Sequence, residues 1–337
     1  LAARSVRYRR ANVRVVDKPA LELYSREDDD DASSAKPLVL YVHGGSWGQG
    51  APWCYAMMAE RLLAPGASAV AIAQYTLFPR GDVDTMVAEI EDALRWCASA
   101  KKPEQPVVLA AHSAGAHLCA LLLARASYAR TASSLRSSGP GKSPRDDILP
   151  DRFVALSGVY DIAAHFGHEY SRRVHWLSPM WLAMIGRRAL DANESRFEED
   201  AVSFAQLLSL DVVLGDDACT SSVRSDRLQE VGLTPQAILT STQLPSSTAD
   251  RARQFRNVDL VRFASSSPRR VLELQREVAA SRGEARALQQ PRWPGTVILH
   301  ASDDTTVPVH SSRLFAEALR ECGEDVTLVE RSGGHGE

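Results

Sequence analysis

Short, continuous apolar runs alternate in this chain with helix-like segments, and the alternation limits the folds that it can adopt. Runs such as Leu38–Val42, with no polar residue between the apolar ones, are typical of strands covered on both faces. Predicted strands occupy residues 12–17, 20–25, 38–42, 69–75, 107–111, 153–157, 296–300 and 325–330. Predicted helices occupy residues 52–63, 83–97, 114–125 and 308–323. The pattern predicts an α/β fold with a doubly wound, mostly parallel sheet.

Two stretches interrupt this rhythm. Residues 127–150 are rich in Ser, Arg, Gly and Pro and are interpreted as a polar, disordered insertion. Residues 163–292 separate two strands by more than one crossover needs, and are interpreted as an inserted helical cap followed by a partly disordered extension. A length of 337 residues first suggests about two domains. Because the motifs described below run from Gly44 to His335, we expect a single domain over residues 1–337.

Composition excludes several classes of protein. The net charge is −3, so no basic excess indicates a nucleic-acid partner. No run of about 18 apolar residues is present that would span a bilayer. The 5 cysteines are widely spaced, fit no zinc or redox pattern, and are interpreted as reduced, in a cytosol-facing protein. The start at Leu1 leaves open a preceding targeting or anchoring segment, and with it a location at the endoplasmic-reticulum or Golgi membrane.

Ser113 lies in a segment with the layout of a nucleophile elbow. The segment Ala111-His112-Ser113-Ala114-Gly115 follows a predicted strand and opens a predicted helix. Such an elbow needs small residues around a serine whose hydroxyl projects from a sharp turn, and the helix N-terminus behind it favours developing negative charge. The usual first Gly is replaced here by Ala111, which is also small. A tight strand–helix turn without catalytic function is the competing interpretation.

A second segment, His43-Gly44-Gly45-Ser46-Trp47, directly follows the strand Leu38–Val42. Adjacent glycines let backbone N–H groups approach a substrate oxygen without an intervening side chain. We therefore predict an oxyanion hole formed by Gly44 or Gly45 together with the N–H of Ala114. A plain glycine-rich turn is the alternative.

An acid and a histidine follow the late strands and complete the order Ser…Asp…His. His335 is the predicted base. Asp304, three residues before Val307, is the predicted acid; its neighbour Asp303 is the second candidate and Asp161 the third. In this arrangement the serine attacks an acyl carbonyl, the histidine transfers the proton, and the acid orients the imidazole. The chemistry requires neither a metal nor an organic cofactor.

Four further side chains are candidates for an apolar substrate pocket: Trp47, His112, Trp176 and Trp181. For the tryptophans, packing of the cap onto the sheet is an equal alternative. His112 is expected either to orient the elbow or to line the pocket.

The remaining histidines are expected to be structural. His165, His168, Glu169 and His175 include metal-ligand residue types, but their loose spacing and aromatic flanks favour a place in the cap. His117, one helical turn after the predicted nucleophile, is expected to be hydrogen-bonded in the interior.

These residues resemble the α/β-hydrolase superfamily. The resemblance rests on the segments 43–50, 74–79 and 112–118, extended by 157–161, 177–180 and 304–308. It is closer to the isoprenylcysteine α-carbonyl methylesterase-like branch and its carboxylesterase relatives. That branch implies hydrolysis of the methyl ester of a prenylated cysteine, so the expected substrate is a small-molecule or prenylated-peptide ester.

Two other functions remain open. The motifs also resemble arylformamidases of the kynurenine-formamidase type. A catalytically silent hydrolase fold that acts as a ligand-binding protein belongs to another class, although the intact Ser113, Asp304 and His335 argue against silence.

Overall fold

A computed structural model describes residues 8–15, 18–26, 36–64, 66–136, 149–174, 177–185, 262–263, 265–281 and 293–336. Its strands are β1 (Tyr8–Val15), β2 (Lys18–Arg26), β3 (Leu38–Val42), β4 (Ala69–Ala73), β5 (Val107–His112), β6 (Arg152–Leu156), β7 (Gly295–Ala301) and β8 (Val326–Arg331). Its α-helices are α1 (Ala56–Leu63), α2 (Val83–Ala100), α3 (Ala114–Arg136), α4 (Ile162–Ser171), α5 (Met180–Ile185), α6 (Pro268–Ser281) and α7 (Val309–Glu321). A 3₁₀ helix, Pro52–Tyr55, precedes α1.

The eight strands form one sheet in the order β1-β2-β4-β3-β5-β6-β7-β8. Strand β2 pairs antiparallel with both β1 and β4, whereas all pairs from β4 to β8 are parallel. This confirms the predicted fold class. The carboxyl ends of β3, β5, β6 and β7 therefore meet at one edge, where an open α/β sheet places its site.

The sheet is covered on both faces. Side chains of β3 alternate between two apolar clusters: Leu38, Leu40 and Val42 enter the larger one, and Val39 and Tyr41 the smaller one. The larger cluster contains residues of α2, α3, α6 and α7, whereas the smaller one contains residues of α1. Asp82 caps the N-terminus of α2, because its carboxylate accepts the amide of Thr85 at 2.9 Å.

One predicted boundary, the end of helix α3, was wrong. Helix α3 continues to Arg136, eleven residues past its predicted end at Arg125 and into the stretch interpreted as a disordered insertion. Ser127 and Tyr128, just beyond the predicted end, are buried, and Tyr128 belongs to the larger apolar cluster, so the helix still packs on the core there. Helix α6 lies within the stretch interpreted as a helical cap and a partly disordered extension, where the sequence predicted no individual helix, and its residues Val271 and Leu272 are buried in the core. Within these two stretches, residues 137–148, 175–176, 186–261, 264 and 282–292 lie outside the described residues, and the predictions that fall on them stay predictions.

No helix in the described part of the chain is long and apolar enough to cross a membrane.

Candidate active site

Ser113 stands at a sharp turn between β5 and α3. Its φ of 53° lies in the left-handed region, which a non-glycine residue adopts at a cost and which a nucleophile elbow requires. The turn is held because the amide of Ser113 donates to the carbonyl oxygen of Leu156, at 2.8 Å. Gly115 permits the close approach of helix and sheet, since a Cβ there would lie 2.4 Å from the carbonyl oxygens of Val42 and His43.

Ser113, His335 and Asp304 form a chain of hydrogen bonds. Ser113 Oγ lies 2.9 Å from His335 Nε2, and His335 Nδ1 lies 2.7 Å from Asp304 Oδ2. The other carboxylate oxygen, Oδ1, accepts the amides of Thr306 and Val307, each at 2.9 Å. A carboxylate can only accept, so His335 carries its proton on Nδ1 and leaves Nε2 free to accept the serine proton.

The environment of Asp304 keeps this carboxylate charged. Burial raises the pKa of Asp304, but the hydrogen bond from His335 and the amides of Val307 and Thr306 together lower it by more. The net pKa is below the ordinary value, so the group is ionised at neutral pH.

His300 contacts the loop that carries the acid Asp304. No role was predicted for this histidine from the sequence. Its Nδ1 lies 2.6 Å from Ser312 Oγ, and its Nε2 lies 2.8 Å from the carbonyl oxygen of Val307 and 3.3 Å from Asp304 Oδ2. Burial lowers the pKa of His300, so a neutral ring donates from Nε2 and accepts from Ser312. Its position at the end of β7, four residues before Asp304, was the available signal.

The two other candidate acids have different partners. Asp303 accepts the amide of Gly333 at 3.0 Å. Asp161 accepts the amide of Ala164 at 3.0 Å and pairs with Arg269 at 2.6 Å. Asp161 therefore caps α4 and ties it to α6. Of the three carboxylates, the one that the structure brings to His335 is Asp304.

Gly44 and Gly45 lie beside the nucleophile. A Cβ on Gly44 would lie 2.9 Å from Ser113 Cβ, which fixes how closely the two backbones approach. Gly45 has a φ of 124°, and its carbonyl oxygen accepts the amide of Gln49 at 2.9 Å, which turns the loop. Within the described residues, neither glycine amide donates a hydrogen bond, and the amide of Ala114 is the first of a helix. The three predicted donors are therefore available to a substrate oxygen.

His43 stabilises the loop that carries Gly44 and Gly45. Its ring is stacked between Tyr55 and Tyr75, with centroids 4.9 and 4.6 Å away. Its Nδ1 lies 2.7 Å from the carbonyl oxygen of Gly44, and burial lowers its pKa. A neutral ring thus donates to Gly44 and holds the loop in place.

The predicted pocket residues are dispersed. Trp47 is buried in the core, and its Nε1–H donates to His117 Nδ1 at 3.1 Å. Trp181 packs edge-on against Phe166, with centroids 5.7 Å apart. His112 lies in the site, with its ring centroid 4.9 Å from that of His335. Trp176 lies outside the described residues, and the substrate-binding role of all four stays a prediction.

His112 and His117 are both neutral at neutral pH. Burial, with a smaller contribution from the neighbouring His335, lowers the pKa of His112 to about 4. Burial lowers the pKa of His117 to about 3. Its Nε2 lies 2.6 Å from the carbonyl oxygen of Ser266. His117 is thus hydrogen-bonded in the interior, as the sequence predicted.

The histidines of α4 have protein partners. His165 Nε2 lies 3.4 Å from Glu169 Oε1, and His168 Nε2 lies 2.9 Å from the carbonyl oxygen of Thr305. His175 lies outside the described residues. No group of three or more His, Cys, Asp or Glu side chains in the described ranges could hold a metal ion.

The chain is similar to known proteins in sequence and in fold. A family model described as "alpha/beta hydrolase fold" matches residues 39–209, just over half of the chain. Crystallised carboxyl esterase 2 of Tuber melanosporum matches 99% of this chain and 80% of its own, at 17% identity and a TM-score of 0.48.

Three curated relatives match shorter segments. Kynurenine formamidase of Danio rerio is 36% identical over 87 residues, which cover 26% of this chain and 29% of the relative. The probable isoprenylcysteine alpha-carbonyl methylesterase ICMEL1 of Oryza sativa subsp. japonica is 27% identical over 150 residues, 43% of this chain and 33% of the relative. Carboxylesterase/phospholipase LipF of Mycobacterium tuberculosis is 34% identical over 133 residues, 39% of this chain and 31% of the relative. The chain thus matches about a third of the length of these relatives, and the resemblance stated from the sequence is confirmed.

Proposed function

The chain belongs to the α/β hydrolase fold family, and from that premise we propose that it hydrolyses carboxylic esters through an acyl-enzyme on Ser113. The observation that carries the proposal is the continuous hydrogen-bonded chain from Ser113 Oγ through His335 to Asp304. These three side chains come from three separate strand ends, and their hydrogen bonds have the order and the lengths that activation of a serine nucleophile requires.

The first half of the reaction forms the acyl-enzyme. Ser113 Oγ attacks the ester carbonyl carbon while its proton moves to His335 Nε2. The ionised Asp304 accepts the Nδ1–H and stabilises the resulting imidazolium. When the tetrahedral intermediate collapses, the C–O bond to the alcohol breaks, and His335 returns the proton to the departing oxygen.

The second half releases the acid. Water loses a proton to His335 Nε2 and attacks the acyl carbon, after which the bond to Ser113 Oγ breaks and the serine recovers its proton. In both halves the negative oxygen lies where the amides of Gly44, Gly45 and Ala114 are free to donate. Fixed donors of this kind are commonly the largest single contribution to acyl-transfer catalysis.

For the substrate, we put the methyl ester of a prenylated cysteine first. Its support is the match to the rice methylesterase, which covers the largest share of this chain among the three relatives described above. Formamide hydrolysis is the second candidate, supported by the higher identity to the zebrafish formamidase over a shorter segment. Both reactions use the same serine chemistry and differ in the acyl group and the leaving group.

A substrate panel tests this ranking. The purified chain is assayed for kcat/KM on p-nitrophenyl butyrate, N-acetyl-farnesylcysteine methyl ester and N-formylkynurenine, with Ser113→Ala as the blank for each. We expect turnover of both esters and slower turnover of the formamide. Faster turnover of N-formylkynurenine would reverse the ranking, and Ser113-independent turnover of all three would remove the proposed function.

A further inference from the structure

The acid and the base lie on two loops. Besides the bond between Asp304 and His335, further hydrogen bonds connect these loops to each other. We define the acid loop as residues 302–307, after β7, and the base loop as residues 332–336, after β8. The regular pairing of β7 with β8 ends at Ala301 and Arg331. His335 therefore lies four residues beyond the sheet, and something other than the β ladder must set its position.

Asp303 supplies that connection. Its amide donates to the carbonyl oxygen of Gly333 at 3.2 Å, and its carboxylate oxygen Oδ2 accepts the amide of Gly333 at 3.0 Å. One step nearer the sheet, the amide of Ser302 donates to the carbonyl oxygen of Arg331 at 2.6 Å. Gly333 has a φ of 139°, which favours glycine and lets the base loop turn back toward the site.

We propose that Asp303 is a positioning residue that holds the base loop so that His335 lies between Asp304 and Ser113. The proposal rests on the proposed function, because it assigns the neighbouring pair of carboxylates two different tasks. Asp304 is buried and accepts from the imidazole of His335, whereas Asp303 is exposed and accepts from the amide of Gly333, two residues before His335. A carboxylate is suited to this task because its hydrogen bond to an amide is charge-assisted.

The proposal predicts that loss of the hydrogen bond between Asp303 and Gly333 slows catalysis and leaves substrate binding unchanged. Among the described residues, the hydrogen-bond partners of Asp303 are Ser302 and Gly333 and include neither Ser113 nor an oxyanion donor, so substrate binding should be preserved. Loss of the acceptor would reduce the fraction of molecules in which His335 is correctly placed. One exposed hydrogen bond corresponds to about a five- to tenfold fall in kcat.

The test compares Asp303→Ala, which removes the acceptor oxygen, with Asp303→Asn, which keeps one. Asp325→Ala is the matched control, since it removes an exposed carboxylate at the other end of β8. Steady-state hydrolysis of p-nitrophenyl butyrate gives kcat and KM separately. Hydrogen exchange of the peptide over residues 331–336, followed by mass spectrometry, gives the order of the base loop without any need for activity.

We expect Asp303→Ala to lower kcat by about five- to tenfold with KM within about twofold, and to speed exchange in the base loop. Asp303→Asn should restore kcat and exchange to within about twofold of the wild type, and Asp325→Ala should change neither. Unchanged kcat in Asp303→Ala, or equal losses in the Ala and Asn variants, would overturn the proposal. If the wild type hydrolysed no ester, the proposed function would fail, while unchanged exchange in Asp303→Ala would separately refute the contact.

Discussion

His117 makes the stability of this protein depend on pH in a way that can be calculated. The ring is fully buried in α3, accepts from Trp47 Nε1 and donates to the carbonyl oxygen of Ser266. Burial lowers its pKa to about 3, with smaller lowering effects from Arg125 and His165, against the raising effect of the bond to Ser266. The folded protein therefore keeps this ring neutral through the mildly acidic range.

The unfolded chain does not keep the ring of His117 neutral in this range. Its histidine takes up a proton below about pH 6.5, and a difference in proton uptake between the two states costs about 1.4 kcal/mol per pH unit. The unfolded state binds more protons between the two pKa values, so stability rises with pH across that window and falls on acidification. Between pH 6.5 and pH 5, this one residue should remove about 2 kcal/mol from the free energy of unfolding.

The assay is urea unfolding followed by tryptophan fluorescence at pH 7, 6 and 5. His117→Gln is the informative variant, because a glutamine amide can still accept from Trp47 and donate to Ser266 but does not titrate. His310→Gln, on the exposed face of α7, is the control. The loss of unfolding free energy from pH 7 to pH 5 should be about 2 kcal/mol smaller in His117→Gln than in the wild type or the control. Equal losses in all three proteins would refute the reasoning.

Two further predictions concern the site. Asp304→Asn should lower kcat by about 10³- to 10⁴-fold, since the new amide no longer fixes the tautomer of His335 that carries its proton on Nδ1. Asp161→Asn should leave kcat within about threefold. It should instead lower the free energy of unfolding by about 1–3 kcal/mol, because it weakens the contacts with Arg269 and Ala164. Parallel kinetics and urea unfolding measure both, and a larger loss of kcat in Asp161→Asn would mean that the acid is assigned wrongly. Gly44→Ala should lower kcat by about 10²-fold, because the new methyl group would lie 2.9 Å from Ser113 Cβ and displace the oxyanion loop; kcat equal to the wild type would exclude Gly44 from the oxyanion hole.

The sequence predicted those parts of the molecule whose signal is local. Apolar runs located the strands from β3 to β8, and the small residues around Ser113 marked its turn. Helix α6 was not predicted although Val271, Gln275 and Ala279 recur at helical spacing, because the Pro- and Ser-rich residues around it are typical of irregular structure. Helix α3 was ended too early for the same compositional reason.

Other features depend on contacts between distant residues. The bond from His117 to Ser266 joins positions 149 apart, and no local pattern indicates it. Asp303 and Asp304 are adjacent and chemically identical, so only the path of the loop decides which one faces His335 and which one faces Gly333. The role of His300 likewise depends on the carbonyl group of Val307 folding back onto it.

The identity of the nucleophile is the central claim, and covalent labelling tests it most directly. The chain is treated with a fluorophosphonate probe, digested, and mapped by mass spectrometry, with hydrolysis of p-nitrophenyl butyrate measured on the same samples. Ser157→Ala is a matched control, because Ser157 also has a positive φ, 47°, at a turn after a strand of the same sheet. The account predicts the label on Ser113 and its loss, together with hydrolysis, in Ser113→Ala, with both retained in Ser157→Ala. A label at another residue, or undiminished hydrolysis in Ser113→Ala, would contradict it.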